Sequence, residues 1–185
     1  MKNSILLVDD EPNVLAALQR ALVDEPLDTR TAQSGEEGVA ALRSQTFKIV
    51  ISDERMPGMD GAEFLSIVRE RFPETVRMML TGHASIEATM RAVNSGEIYR
   101  FFTKPWNEIE LKLAIRSAIE KYDLEAENRR LLKTVRHQAV EFKVLEKRYP
   151  GITRLEKDDN GNVIMPDMQE DELAQIIEEC NREYR

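Results

Sequence analysis

Asp53 ends a short apolar run, Ile49-Val50-Ile51-Ser52, and is followed by a loop-like stretch, Glu54-Arg55-Met56-Pro57-Gly58-Met59. Two more acids, Asp9 and Asp10, end an earlier run, Ile5-Leu6-Leu7-Val8. Thr81 closes a third run, Val76 to Leu80, and Lys104 closes a fourth, Ile98 to Thr103. Each run reads as a buried strand. In a parallel α/β sheet the strand C-termini share one edge, which is where such folds bind ligands. Three carboxylates, a hydroxyl and an amine at one edge suit the making and holding of an aspartyl phosphate. A carboxylate attacks phosphorus only if its repulsion from the incoming phosphoryl group is neutralised. A hard cation such as Mg²⁺, held by carboxylates, waters and phosphate oxygens, does this. Either half of this pattern is ordinary alone. Two acids after a strand can simply begin a helix, where the macrodipole favours negative charge. A single loop lysine is usually solvated.

The elements that must position these groups follow from periodicity. Apolar runs alternate with amphipathic stretches from residue 4 to about 120, which predicts βαβ units and a parallel sheet. Strands are expected near 4–8, 27–32, 48–52, 76–80 and 98–103. Ser34 with Glu37, Asp60 with Glu63, and Asn107 with Glu110 carry the spacing of a capping box. Pro12 fits a first helical turn. Five strands and five helices predict the flavodoxin-like, doubly wound (βα)5 α/β fold.

In order and spacing, four motifs resemble the receiver domain of two-component response regulators over the first 120 or so residues. They are Leu7-Val8-Asp9-Asp10-Glu11, Ser52-Asp53 through Met56-Pro57-Gly58-Met59-Asp60-Gly61, Leu80-Thr81-Gly82, and Phe102-Thr103-Lys104-Pro105. Tyr99 through Trp106 looks most like a subgroup with varied outputs, including transcription activators and cyclic-dinucleotide phosphodiesterases.

The resemblance implies that Asp53 is the phosphoacceptor. It also implies that Asp10 and Asp53 bind Mg²⁺ directly, that Asp9 acts directly or through water, and that the Arg55 backbone carbonyl completes the protein ligands. Lys104 would pair with one phosphate oxygen and Thr81 would hydrogen-bond another. Thr81 and Phe101 take the switch positions, and phenylalanine there carries no hydroxyl, so a rotamer change would alter packing alone. Arg55 and His83 stand where side chains tune the lifetime of the phosphate. Lys104-Pro105 matches a cis peptide. Met56 and Met59 read as loop packing rather than as ligands.

The last helix of the fold does not stop where the fold should. From Asn107 to about Arg148 there is neither Pro nor Gly, which predicts one helix of about 40 residues, roughly 60 Å long. Leu124, Leu131, Gln138 and Leu145 fall at heptad d, and Asn128, Val135 and Phe142 at a. This frame predicts a parallel two-stranded coiled coil, with Asn128 fixing its register. Gln138 at d and acidic residues Glu141 and Glu146 at g and e oppose it. Pro150-Gly151 ends the helix, and an Asn-Gly turn at 160–161 between short apolar runs reads as a hairpin. A capped helix begins near Asp167, completing a ββα tail too small to hold a core alone. The expected organisation is therefore 1–120 receiver, 121–149 coil and 150–185 tail.

The net charge of −8 is unevenly spread: residues 107–149 carry ten basic and eight acidic groups, and residues 150–185 carry four and ten. An acidic tail suits neither DNA nor RNA, which need clustered Lys and Arg. The single cysteine, Cys180, and an N-terminus without a signal-peptide pattern fit a cytoplasmic protein with no membrane segment. No GxxxxGK[ST] loop is present, and two histidines exclude a His-rich metal phosphodiesterase. The expected partners are a sensor histidine kinase or phosphotransfer protein, a downstream protein and a second copy of the chain. The alternative is the input portion of a transcription regulator or phosphodiesterase whose output domain lies outside this sequence.

Overall fold

A computed structural model describes residues 3–82, 98–149, 156–157 and 163–164. The five strands β1 (Asn3–Val8), β2 (Leu27–Ala32), β3 (Ile49–Asp53), β4 (Val76–Thr81) and β5 (Arg100–Thr103) form one sheet. Its order is β2-β1-β3-β4-β5 and all its pairings are parallel. Order 2-1-3-4-5 is the flavodoxin-like arrangement, with its switch point between β1 and β3.

Strand β3 and the last four residues of β1 are buried on both faces, so they read as unbroken apolar runs instead of alternating ones. The edge strand β2 alternates between exposed and half-buried positions. Alternation also sorts the core into two layers. Ile5, Leu7, Ile49, Ile51, Met78, Leu80 and Phe102 face one layer, Leu6, Val8, Val50 and Met79 the other.

Helices α1 (Pro12–Ala21) and α4 (Glu108–Arg148) cover the first layer, and α2 (Gly35–Ser44) and α3 (Gly61–Arg71) cover the second. The expected caps form. Ser34 Oγ accepts from the Glu37 N–H at 3.2 Å, and Asp60 Oδ1 from the Glu63 N–H at 2.8 Å. Asn107 Oδ1 accepts from both Ile109 and Glu110. The return bond of Glu37 reaches the Gln33 N–H at 2.7 Å, one residue earlier than a capping box would place it. Pro12 sits in the first turn of α1.

Helix α4 runs 41 residues, as its unbroken sequence predicts. Its start is a core helix, with Leu111, Ala114, Ile115 and Ala118 buried at helical spacing. Farther along, charges take over. Arg116 pairs with Glu25 through two hydrogen bonds, Lys48 pairs with Asp123, and Arg129 reaches Glu74 at 3.1 Å. The chain divides into two compact units, Met1–Arg130 and Leu131–Arg185. The first unit includes the ion pairs of Lys48 with Asp123 and of Glu74 with Arg129. In the second unit, β6 (Glu156–Lys157) and β7 (Val163–Ile164) pair antiparallel across the Asn-Gly segment. The expected fourth of five helices, His83 and the tail helix lie outside the described residues.

The start of α3 is pressed onto the end of β3. A Cβ on Gly61 would lie 1.9 Å from the Asp53 carbonyl oxygen, and backbone cannot yield as a flexible side chain can. Gly58, at φ +78°, needs its glycine for conformation and not for space. Gly61→Ala should therefore lose about 2–3 kcal/mol in urea unfolding, and Gly58→Ala about 1 kcal/mol. Equal losses would contradict this account of the β3–α3 junction.

Candidate functional site

Register decides which side chains meet. Leu7 pairs with Ile51 and Val8 with Ser52, so Asp9 and Asp53 are the next residues on adjacent strands. Alternation sets them on the face of Leu7 and Ile51. On β5, Phe102 shares that face, and Lys104 follows it two residues later. Backbone bonds extend the ladder past the strand ends: the Asp9 N–H donates to Ala32 O, and the Lys104 N–H to Thr81 O.

The result is a charged cluster at the C-terminal edge. Lys104 Nζ lies 2.8 Å from Asp9 Oδ2 and 2.6 Å from Asp53 Oδ1. Carboxylate oxygens of Asp9, Asp10 and Asp53 all fall within 4.8 Å of one another. Both oxygens of each inner acid are engaged. Asp9 Oδ1 accepts from the Glu11 N–H at 2.9 Å and Asp53 Oδ2 from the Arg55 N–H at 3.1 Å. These bonds fix the carboxylates in direction as well as place.

The electrostatics follow. Asp9 is fully buried, and that burial holds its carboxyl above the usual carboxylate range. Hydrogen bonds from Lys104 and the Glu11 N–H pull it back, and the Asp53 charge adds to the rise. Burial pulls the Lys104 ammonium down, but hydrogen bonds to Asp53 and Asp9 outweigh it and leave its pKa raised. Three acids against one ammonium leave an excess of negative charge. Such an oxygen-rich cluster suits a hard divalent cation such as Mg²⁺, which binds carboxylate oxygens.

Thr81 is buried on the opposite face, the face of Met79. Its hydroxyl reaches Gly82 O at 2.8 Å and the Glu54 carboxylate. Thr81 is therefore at the same sheet edge as Lys104 without touching it through its side chain. Phe101 is half-buried against the second layer and borders a hollow of about 610 Å³ with Tyr99, Trp106 and Glu110. Met56 is buried and Met59 packs against the same layer, so both serve packing. Lys104-Pro105 is cis. Arg55 is exposed and its N–H meets Asp53.

Glu54 is the residue that motif reading passes over. The signal lies in register: Asp53 pairs with Leu80, so Glu54 and Thr81 are the next partners. Register is not visible until the pairing of β3 with β4 is known.

The response regulator receiver domain family matches residues 5–116, more than half of the chain. The hydrogenase transcriptional regulatory protein HoxA of Cupriavidus necator is 39% identical over 128 residues, 69% of this chain and 26% of that protein. A crystal structure of adenylate cyclase from Rhodopirellula baltica is 37% identical with a TM-score of 0.68, covering 72% of this chain and 98% of that one. The signal receiver domain of an HD domain-containing protein from Pseudomonas fluorescens Pf-5 is 36% identical with a TM-score of 0.63, covering 66% and 98%. The chain spans about a quarter of the length of the curated relatives it matches, 26% for HoxA and 27% for NtrC of Salmonella typhimurium. A family match of this extent, on a 2-1-3-4-5 sheet with acids at its switch point, means that this chain belongs to the response regulator receiver domain family.

Proposed function

We propose that this chain is a phosphorylation-switched signalling protein in which Asp53 accepts a phosphoryl group. The donor is a phosphohistidine on a sensor kinase or phosphotransfer protein. The observation that carries this reading is the Lys104 bridge, which sets one ammonium against both Asp9 and Asp53. In the transfer, an Asp53 carboxylate oxygen bonds to phosphorus while the phosphorus–nitrogen bond of the donor breaks. The electron pair leaves with the imidazole, which then takes a proton from water. Lys104 moves from neutralising two carboxylates to holding a phosphate oxygen, as a compact point charge with three donors can. Thr81 supplies a hydrogen bond to a second oxygen. Asp9, Asp10, Asp53 and the Arg55 carbonyl would hold Mg²⁺, which supplies charge neutralisation between Asp53 and the donor. Arg55 and His83 flank the phosphate and tune its lifetime, and Phe101 repacks as Thr81 moves. The chain is a phosphoacceptor and catalyses no reaction beyond its own transfer and dephosphorylation.

The output is protein contact through a parallel homodimer. Leu131, Val135, Phe142 and Leu145 are 54%, 60%, 60% and 43% exposed on one chain, and Leu124 is 72% exposed. Burying each such side chain is worth roughly 1.5–3 kcal/mol, so an apolar stripe of this length favours a partner. Leu132 is also exposed and flanks the seam at e, whereas exposed Val140 and Val144 fall at f and c, away from it. Residues 121–149 would form the coil and 150–185 a tail folded against it. No helix among the described residues is long and apolar enough to cross a membrane.

A second reading is the input portion of a longer regulator. Curated relatives named as transcriptional regulators, of which the chain spans about a quarter, favour it. Any DNA contact would then come from another domain, because residues 150–185 carry ten acids against four bases.

Three tests follow the parts of this reading. Asp53→Asn should abolish labelling by acetyl phosphate with Mg²⁺, and Asp10→Ala should weaken Mg²⁺ binding; persistent labelling of Asp53→Asn would assign the phosphate elsewhere. Leu131→Asp with Phe142→Asp should yield a monomer, by light scattering, that still takes label; a dimeric double mutant would rule out the coil.

The third test concerns stability. A raised folded-state pKa means that ionised Asp9 opposes folding. Its favourable contribution is full below about pH 3.9, the unfolded carboxyl value, and is lost as pH rises through the raised folded value. Without divalent cations at pH 7, Asp9→Asn should melt roughly 2–5 °C above wild type, and the gap should close as the pH falls toward about 3.5. A wild type that melts as high as Asp9→Asn at pH 7 would show that burial of this charge costs nothing.

A further inference from the structure

Glu54 sits beside the acceptor in sequence but on the opposite face of the sheet. Its N–H donates to Leu80 O at 2.9 Å, and its carbonyl accepts from the Gly61 N–H at 2.9 Å. The first bond continues the β3–β4 ladder one step, the second ties Glu54 to the start of α3, and together they hold the Glu54 backbone in place. Register then makes Thr81 its partner, and its Oε2 accepts from the Thr81 hydroxyl.

A threonine hydroxyl has one proton to donate. While that proton is on the Glu54 carboxylate it is not available to a phosphate oxygen. The neighbouring Gly82 carbonyl is a second acceptor, but a neutral one. Hydrogen bonds to an ionised acceptor are roughly twice as strong as neutral ones. Lys104 differs, because its three protons let it keep an acid and still meet an incoming oxygen. To greet the phosphate Thr81 must turn its one proton away from Glu54, whereas Lys104 can keep one of its two acids.

We propose that Glu54 is a positioning residue, a carboxylate latch that holds Thr81 in the unphosphorylated state and must be displaced for the switch to turn. The latch rests on the reading of Asp53 as phosphoacceptor. Phosphorylation supplies the means of displacement, since it adds negative charge to the residue next to Glu54. The hydroxyl then transfers its hydrogen bond from the carboxylate to the phosphate. No covalent bond of Glu54 changes. The device sets a threshold: it weakens the phosphorylated geometry relative to the resting one without touching the acceptor.

The test is the affinity of the full chain for beryllium fluoride, a phosphoryl mimic, at saturating Mg²⁺ by calorimetry. Glu54→Ala should bind about tenfold more tightly than wild type, the low end for one hydrogen bond to a charged group. Glu54→Gln keeps an acceptor and loses the charge, so its gain should be smaller. In a Thr81→Ala background, Glu54→Ala should bring almost no further gain, because the two residues act through one bond. A gain of the same size in both backgrounds would overturn the latch and leave Glu54 as a nearby charge. So would no gain in either, or a gain for Glu54→Gln equal to that for Glu54→Ala. Loss of binding by wild type and all variants alike would overturn the acceptor reading, and the latch with it.

Discussion

The rest of this structure depends on one crowded ion cluster. Three carboxylates meet at the end of the sheet, and among the described residues Lys104 supplies the contacting ammonium, at 2.8 Å from Asp9 and 2.6 Å from Asp53. Bringing like charges together opposes folding, and the fold accepts it through rigid surroundings. The β1–β3 register sets Asp9 beside Asp53, backbone N–H groups of Glu11 and Arg55 aim their oxygens, and two apolar layers hold the strands in place. The cluster is strained toward binding something positive. A divalent cation held at that point would relieve the repulsion.

The two faces of the sheet divide the labour. Asp9, Asp53 and Lys104 continue the layer beneath α1 and α4, whereas Thr81 and Glu54 continue the layer beneath α2 and α3. A group that bridges the faces at the strand ends would couple them. Helix α4 covers the first of these layers and continues well beyond it, held along the way by Glu25, Lys48 and Glu74. One helix therefore belongs both to the core beneath the acids and to the long segment that follows.

Much of this was legible in the sequence because parallel strands at the centre of a sheet announce themselves as apolar runs. The ends of those runs named Asp9, Asp53, Thr81 and Lys104 before any pairing was known. The length of α4 was legible from the absence of Pro and Gly between Asn107 and Arg148. What stayed hidden depended on register and on charge. The Glu54–Thr81 bond needs the alignment of Asp53 with Leu80, which no local pattern encodes. The hold of Lys48 on Asp123 joins residues 75 positions apart, and apolar periodicity gave no hint of it. Ionic contacts on a surface helix look, in sequence, like any solvated face.

The central claim is that one carboxylate of the three receives the phosphoryl group. Asp53 differs from Asp9 in being slightly open to solvent, 7% against 0%, while sharing the same ammonium. The direct measurement is peptide mass mapping of the wild-type chain after treatment with phosphoramidate and Mg²⁺, with borohydride trapping of the acyl phosphate. The account predicts a single modified peptide, with the trapped site at Asp53. Modification at Asp9 or Asp10, or on no carboxylate at all, would contradict it.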